Sequence, residues 1–176
     1  MSISERVDKA IRTIPDFPKK GIMFKDITPI LENANLSSDI VDELVNHCKG
    51  LTVDAVAGVE SRGFLFGFSL AMRLGVPFVL IRKKGKLPAE TISYKYDLEY
   101  GSAEIEMHID SIDEGMHVLI HDDLLATGGT AAAAAELIKK SGGQVSGFSF
   151  VVELEFLKGK EGLNKYSEFN KSIVNY

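Results

Sequence analysis

The run Val118-Leu-Ile-His-Asp-Asp-Leu-Leu-Ala-Thr-Gly-Gly-Thr130 gathers the groups in this chain that are best suited to chemistry. An apolar, strand-type segment ends in two adjacent carboxylates, Asp122 and Asp123. The loop formed by Ala126, Thr127, Gly128, Gly129 and Thr130 follows and leads into an alanine-rich helix. Glycines let successive backbone N–H groups turn toward one anion, and a helix N-terminus adds positive potential there. Thr127 and Thr130 offer hydroxyl donors. The pattern predicts a phosphate cradle with two carboxylates beside it, suited to ribose hydroxyls or to Mg²⁺. A Gly-Gly pair alone would be an ordinary strand-to-helix turn. Two acids, a Thr-Gly-Gly-Thr loop and a helix start in one run point beyond that. The chain has neither a Walker A loop nor a G-x-G-x-x-G fingerprint, which disfavours an NTPase or a dinucleotide enzyme.

The elements that must position this loop follow from hydrophobic periodicity. Residues 53–59 read as a buried strand, 64–74 as an apolar helix stopped at Gly75, and 76–81 as the next strand. That βαβ unit should cross over right-handedly and keep its strands parallel. A second unit comprises a strand over 117–121, the glycine loop, a helix over 131–140, a stop at Ser141-Gly142-Gly143 and a strand over 144–152. Two such units predict an α/β protein with a central, mainly parallel sheet flanked by helices. Residues 131–135 read as a slim helix lying close to that sheet.

Nearer the N-terminus, Val7, Ala10, Ile11 and Ile14 give helical spacing over 4–13, with Pro15 and Pro18 as terminators. Residues 21–31 read as irregular. Ser37 or Ser38 is the expected N-cap of a helix carrying Ile40, Val41, Leu44, Val45 and Cys48. Between the two units, residues 84–110 alternate polar and apolar and read as a β-hairpin-like arm. The stretch from Phe156 is weakly patterned and is expected to form a small appendage.

With 176 residues, 45% hydrophobic and 26% charged, the chain suits one folded domain. A formal net charge of -5 argues against a dedicated nucleic-acid binder. One cysteine, Cys48, allows neither an internal disulfide nor a multi-cysteine zinc site. No apolar stretch approaches the roughly 20 residues that span a bilayer. Early charges interrupt any apolar leader at the N-terminus, so a cytoplasmic location is expected, with no membrane partner.

The Asp122–Thr130 motif resembles that of the type I phosphoribosyltransferases. Further matching segments are Pro15-Asp-Phe-Pro-Lys-Lys-Gly21, Phe24-Lys-Asp-Ile-Thr-Pro-Ile-Leu31, Ser61-Arg-Gly-Phe-Leu-Phe-Gly67, Ile81-Arg-Lys-Lys-Gly-Lys-Leu-Pro88 and Leu98-Glu-Tyr-Gly101. Leu157-Lys-Gly159 adds a weaker one. The Leu-Glu-Tyr-Gly and Asp-Phe-Pro…Asp-Ile-Thr-Pro segments resemble the members that act on adenine. The resemblance implies one domain over 1–176, with a hood from about 1–35 and 156–176 and a flexible arm at about 84–110. It implies transfer of phosphoribose from phosphoribosyl pyrophosphate to N9 of adenine, giving AMP and pyrophosphate, with Mg²⁺ as cofactor and a homodimer as the assembly.

Site roles follow from the same resemblance. Ala126, Thr127, Gly128, Gly129 and Thr130 would bind the 5-phosphate, and Asp122 and Asp123 the ribose hydroxyls. Mg²⁺ would be held mainly by the donor, with Asp122 and Asp123 as its candidate protein contacts. Arg62, Arg82, Lys83 and Lys86 would meet the pyrophosphate, Arg82 by reaching into a partner's site. A guanidinium fork matches phosphate oxygens. Lys84 completes a basic cluster whose bland reading is a solvated face. Glu99 would do acid/base work at adenine N7, Tyr100 would pack as part of the lid, and Glu104 and Glu106 read as exposed strand glutamates. Main-chain groups near Met23 and Lys25 would hold adenine, with Phe24 stacking on its ring. A cis peptide is implied at Glu60–Ser61. The four histidines read as structural, His121 pointing away from the adjacent acids. Two rivals remain: another purine or pyrimidine phosphoribosyltransferase, and a non-catalytic sensor of the donor.

Overall fold

Apolar strand segments build the centre of the molecule. The computed structural model describes residues 1–97 and 101–176. Five parallel strands form most of the main sheet: β3 (Ala55–Val59), β4 (Phe78–Lys83), β7 (His117–Leu125), β8 (Gln144–Glu153) and β9 (Asn170–Asn175). An antiparallel pair, β5 (Thr91–Asp97) and β6 (Ser102–His108), extends it through β4, giving the order β5-β6-β4-β3-β7-β8-β9. Strands buried on both faces need no polar alternation, and β3 is buried along all five residues.

Alternate strand residues feed two cores. On one face Ala55, Ala57, Val118, Ile120, Phe148 and Phe150 pack against α5 (Gly129–Lys140). On the other, Val56, Leu119, Val151 and Val174 meet α1 (Ile3–Ala10), α3 (Ala34–His47) and α4 (Gly63–Leu74). Full burial of each large side chain is worth roughly 1.5–3 kcal/mol. Ala133, Ala134 and Ala135 are all buried, so α5 presents methyl groups to the sheet and sits close against it, as its sequence suggests. No helix is long and apolar enough to cross a membrane among the described residues.

Several local expectations change. The first helix ends at Ala10, because Ile11 is extended and Arg12–Pro15 forms β1, which pairs antiparallel with β2 (Met23–Asp26). Residues 21–31, expected to be irregular, therefore supply β2 and the short α2 (Thr28–Leu31). Asn33, rather than Ser37 or Ser38, caps α3, its side-chain oxygen accepting from the Leu36 N–H at 3.1 Å. Ser37 instead bonds back to the Ile30 carbonyl. The segment beyond Phe156 forms a short helix, α6 (Gly159–Leu163), and then β9, a strand of the main sheet rather than an appendage. Its apolar residues Ile173 and Val174 are buried, but polar neighbours mask their period.

Candidate active site

A cleft of about 450 Å³ opens at the carboxyl edge of β3 and β7. Its walls include Ser61, Arg62, Lys83, Asp122, Asp123 and the whole loop from Ala126 to Thr130. β7 carries both aspartates to this edge between β3 and β8. The chain then turns through Gly128, whose φ of 82° lies in the left-handed region that side chains disfavour. Gly128 opens α5 without any side-chain cap, so the first-turn N–H groups face the cleft edge unpaired with side chains. That is an anion site built from main chain and helix dipole.

The loop after β3 closes in from the other side. The Glu60–Ser61 peptide is cis, as the resemblance implies. Gly63 follows because the backbone there lies against β7: a Cβ on it would sit 2.8 Å from the His121 carbonyl oxygen and 3.1 Å from Asp122 Oδ1. Arg62 is thereby held over the aspartates, its Nε 3.1 Å from Asp123 Oδ2. Its guanidinium carbon also lies 5.7 Å from the centre of the Phe24 ring. One arginine thus links the cleft to β2.

Burial, and then the negative charge of Asp123, push the Asp122 carboxyl well above the ordinary carboxylate range. Burial raises Asp123 too, while Arg62 opposes the rise. Asp122 Oδ1 accepts the Asp123 N–H at 2.8 Å. Asp123 Oδ2 is buried, and Arg62 approaches it without the alignment of a hydrogen bond. The pair thus keeps hydrogen-bond acceptor capacity at the cleft, with Arg62 supplying its counter-charge. His121 is fully buried, with Nδ1 3.3 Å from Ser149 Oγ, and burial lowers its pKa to about 4.

Met23, Phe24, Lys25, Arg82 and Lys86 do not line this cleft. Phe24 packs edge-on against Phe17, with ring centres 5.1 Å apart, and Met23 is exposed. Lys25 Nζ rests 3.5 Å from the centre of the Tyr176 ring and 3.1 Å from Thr13 Oγ1. Arg82 is held by Glu60, Nε to Oε2 at 3.1 Å, and donates to the Lys86 carbonyl at 3.0 Å. Glu99 and Tyr100 lie outside the described residues.

Three residues that the sequence reading gave no site role lie at or beside the cleft. Tyr96 of β5 places its hydroxyl 3.2 Å from Thr130 Oγ1, which brings β5 onto the glycine loop. Gly159 backs the loop, with room for no side chain beside the Ala126 carbonyl. The Leu157-Lys-Gly159 match was the only signal for it. Glu106, read as exposed, is buried beneath the basic turn. Alternation places it on the solvent side of a hairpin, but the turn folds over that side and encloses it.

Residues 25–167 match the phosphoribosyl transferase domain family, and the chain belongs to it. Its fold is that of the type I phosphoribosyltransferases. Among individual relatives, the adenine phosphoribosyltransferase of Cytophaga hutchinsonii is 50% identical over 174 residues, covering 99% of this chain and 96% of that protein. The crystal structure of adenine phosphoribosyltransferase from Thermoanaerobacter pseudethanolicus superposes with a TM-score of 0.95 at 49% identity, covering 99% of this chain and all of that one. The Saccharomyces cerevisiae enzyme, crystallised with an imino-altritol bisphosphate and adenine, gives a TM-score of 0.90 at 40% identity and covers 97% of this chain and 98% of its own.

Proposed function

We propose that this chain is an adenine phosphoribosyltransferase, moving 5-phosphoribose from phosphoribosyl pyrophosphate to N9 of adenine with release of pyrophosphate. The observation that carries this reading is the path from β7 into α5. Two carboxylates and an uncapped, glycine-opened helix N-terminus share one cleft, and Arg62 joins that cleft to Phe24. The near full-length likeness to adenine-specific relatives chooses the base.

The 5-phosphate takes the N–H groups of 126–130 and the hydroxyls of Thr127 and Thr130. Asp122 and Asp123 accept from the ribose hydroxyls. Arg62, Lys83, Arg82 and Lys86 receive the diphosphate, where negative charge builds as the C1–oxygen bond breaks. Adenine lies against Phe24, its edge read by main-chain groups at Met23 and Lys25, and N9 forms the new bond to C1. Glu99 takes the proton leaving N7, and Tyr100 helps to cover the site.

The Asp123 Oδ2, which accepts no hydrogen bond, and the mutual repulsion of the two aspartates fit a nearby divalent cation beside Arg62. Asp122 and Asp123 are the residues that would hold Mg²⁺ beside the donor, where the ion supplies charge neutralisation for the diphosphate. No cluster of three or more His, Cys, Asp or Glu suited to a metal occurs among the described residues, so the donor provides most of its ligands in this reading.

We also propose a homodimer and a role in base salvage in the cytoplasm. Leu65, Phe68 and Met72 are exposed along one face of α4, beside the exposed Leu80 of β4. Arg82 lies two residues beyond Leu80 on the same strand face, so a second copy seated on this patch would meet it. The test of function is pyrophosphate release with Mg²⁺ and phosphoribosyl pyrophosphate, with adenine, hypoxanthine, guanine and orotate in parallel. Release with adenine alone is expected; release with an oxopurine or orotate instead overturns the base assignment.

A further inference from the structure

The turn that closes β4 carries Arg82, Lys83, Lys84 and Lys86, four cations within five residues. Like charges this close repel, so something must hold the turn in shape. Lys84 is paired, its Nζ 3.2 Å from Glu104 and 3.0 Å from Ser93 Oγ. Arg82 is paired with Glu60. Lys83 and Lys86 are different. Their ammonium groups form no close ion pair among the described residues, although Glu60 feels the charge of Lys86, and each is held by its backbone instead. Glu60 Oε2 accepts the Lys83 N–H at 3.0 Å, and Glu106 Oε1 accepts the Lys86 N–H at 2.9 Å.

Glu106 is the less expected of these two anchors. It is 2% exposed and makes no ion pair among the described residues, a placement that is costly for a carboxylate unless donors surround it. Donors do surround it. Leu87 N–H lies 3.0 Å from Oε1, and Thr91 Oγ1 donates to Oε2 at 3.1 Å. Burial alone would raise its pKa, but the N–H groups of Leu87, Gly85 and Lys86 with the Thr91 hydroxyl outweigh burial and leave it below the ordinary value. The basic turn is thus wrapped around an internal anion that fixes its main chain. The register pairs Glu106 with Arg82 across β4 and β6, so the anchor sits directly under the cationic segment.

We infer that Glu106 is a positioning residue for donor binding: its carboxylate fixes the backbone of 85–87 so that Lys83, in the cleft wall, and Lys86, just outside it, can turn their ammonium groups to the diphosphate. A side chain whose only task is packing would not need a buried charge here, since a hydrophobic residue fills the space at lower desolvation cost. This inference rests on the phosphoribosyl transfer proposed above.

The experiment compares wild type, Glu106→Gln, Lys83→Met/Lys86→Met and the triple variant. KM for phosphoribosyl pyrophosphate, KM for adenine, kcat and Tm are measured for each. Glu106→Gln keeps the shape but removes the charge and replaces Oε2, the acceptor of the Thr91 hydroxyl, by an amide donor. It should raise the donor KM about tenfold, with the adenine KM and kcat within about threefold. In the double-lysine background the same change should add nothing further to the donor KM, because Glu106 acts through those side chains. Full additivity, an unchanged donor KM, or equal rises in both KM values would overturn the inference. If Glu106→Gln does not fold, Glu106→Asp serves: it keeps the charge, and it should raise the donor KM alone by about threefold, an equal rise in both KM values being the contrary result. Wild type that makes no AMP would remove the underlying function; wild type that makes AMP beside an indifferent Glu106→Gln would remove this role alone.

Discussion

Replacing Gly159 with alanine adds one methyl group behind the phosphate loop, at the residue that opens α6. That methyl would lie 2.2 Å from the Ala126 carbonyl oxygen and 3.0 Å from the Gly128 nitrogen. Both are main-chain atoms, so no side chain can swing aside. Ordinary contact begins at 3.4 Å, which obliges α6 or the loop to retreat by about 1 Å. Gly159 does not occupy the left-handed region, so the contact alone carries the effect. Overpacking of this kind costs about 1–3 kcal/mol, or a fall in Tm of roughly 2–12 °C for a chain of this length. Displacing positioning groups by about 1 Å costs on the order of 100-fold in rate. The expected result is therefore a modest loss of Tm with a much larger loss of kcat/KM for the donor. Gly162→Ala is the matched control, in the same helix with nothing within 4 Å of the new methyl, and should keep activity and Tm. Steady-state kinetics with varied phosphoribosyl pyrophosphate, beside calorimetric melts, would decide it. A Gly159→Ala enzyme with a donor kcat/KM within about twofold of wild type would refute the claim that loop geometry governs donor binding.

Asp122→Asn should weaken donor binding and yet raise Tm at alkaline pH. Folding raises the Asp122 pKa, so the wild-type site favours the protonated carboxyl, and its contribution to stability is lost as pH rises through the folded-state value. The Tm gain of the variant should shrink toward zero as pH falls to about 4, near the ordinary carboxylate pKa, which melts across a pH series would show. Phe24→Ala should raise the adenine KM on the order of tenfold and leave the donor KM unchanged, measured by initial rates. Glu99→Gln should lower kcat by about 100-fold or more with donor affinity preserved, read from turnover and from calorimetric titration of the donor. Met72→Glu should convert a dimer into a monomer in light scattering, since it sets a charge in the exposed α4 face.

Residues 118–130 made the strand-to-helix cleft loop legible because strand, acids, glycines and helix start are contiguous there, and local periodicity suffices to order them. The βαβ frame was legible for the same reason. Harder to read were contacts made across long sequence separations. Gly159 meets Ala126 from a helix too short to show a period. Glu106 looks like any alternating strand residue until the turn at 85–87 folds onto it. Arg12–Pro15 became a strand only because Met23–Asp26 returned to pair with it. Tyr96 reaches Thr130 through the packing of β5 on α5, which no spacing within 84–110 encodes.

The central claim is that one cleft binds phosphoribosyl pyrophosphate and passes its ribose to adenine. The most direct measurement follows adenine, AMP and pyrophosphate together by chromatography in one reaction with Mg²⁺. The account predicts that every adenine consumed yields one AMP and one pyrophosphate. Pyrophosphate without AMP would mark a hydrolase, and donor binding with no change in any of the three would mark a sensor; either result would contradict the account.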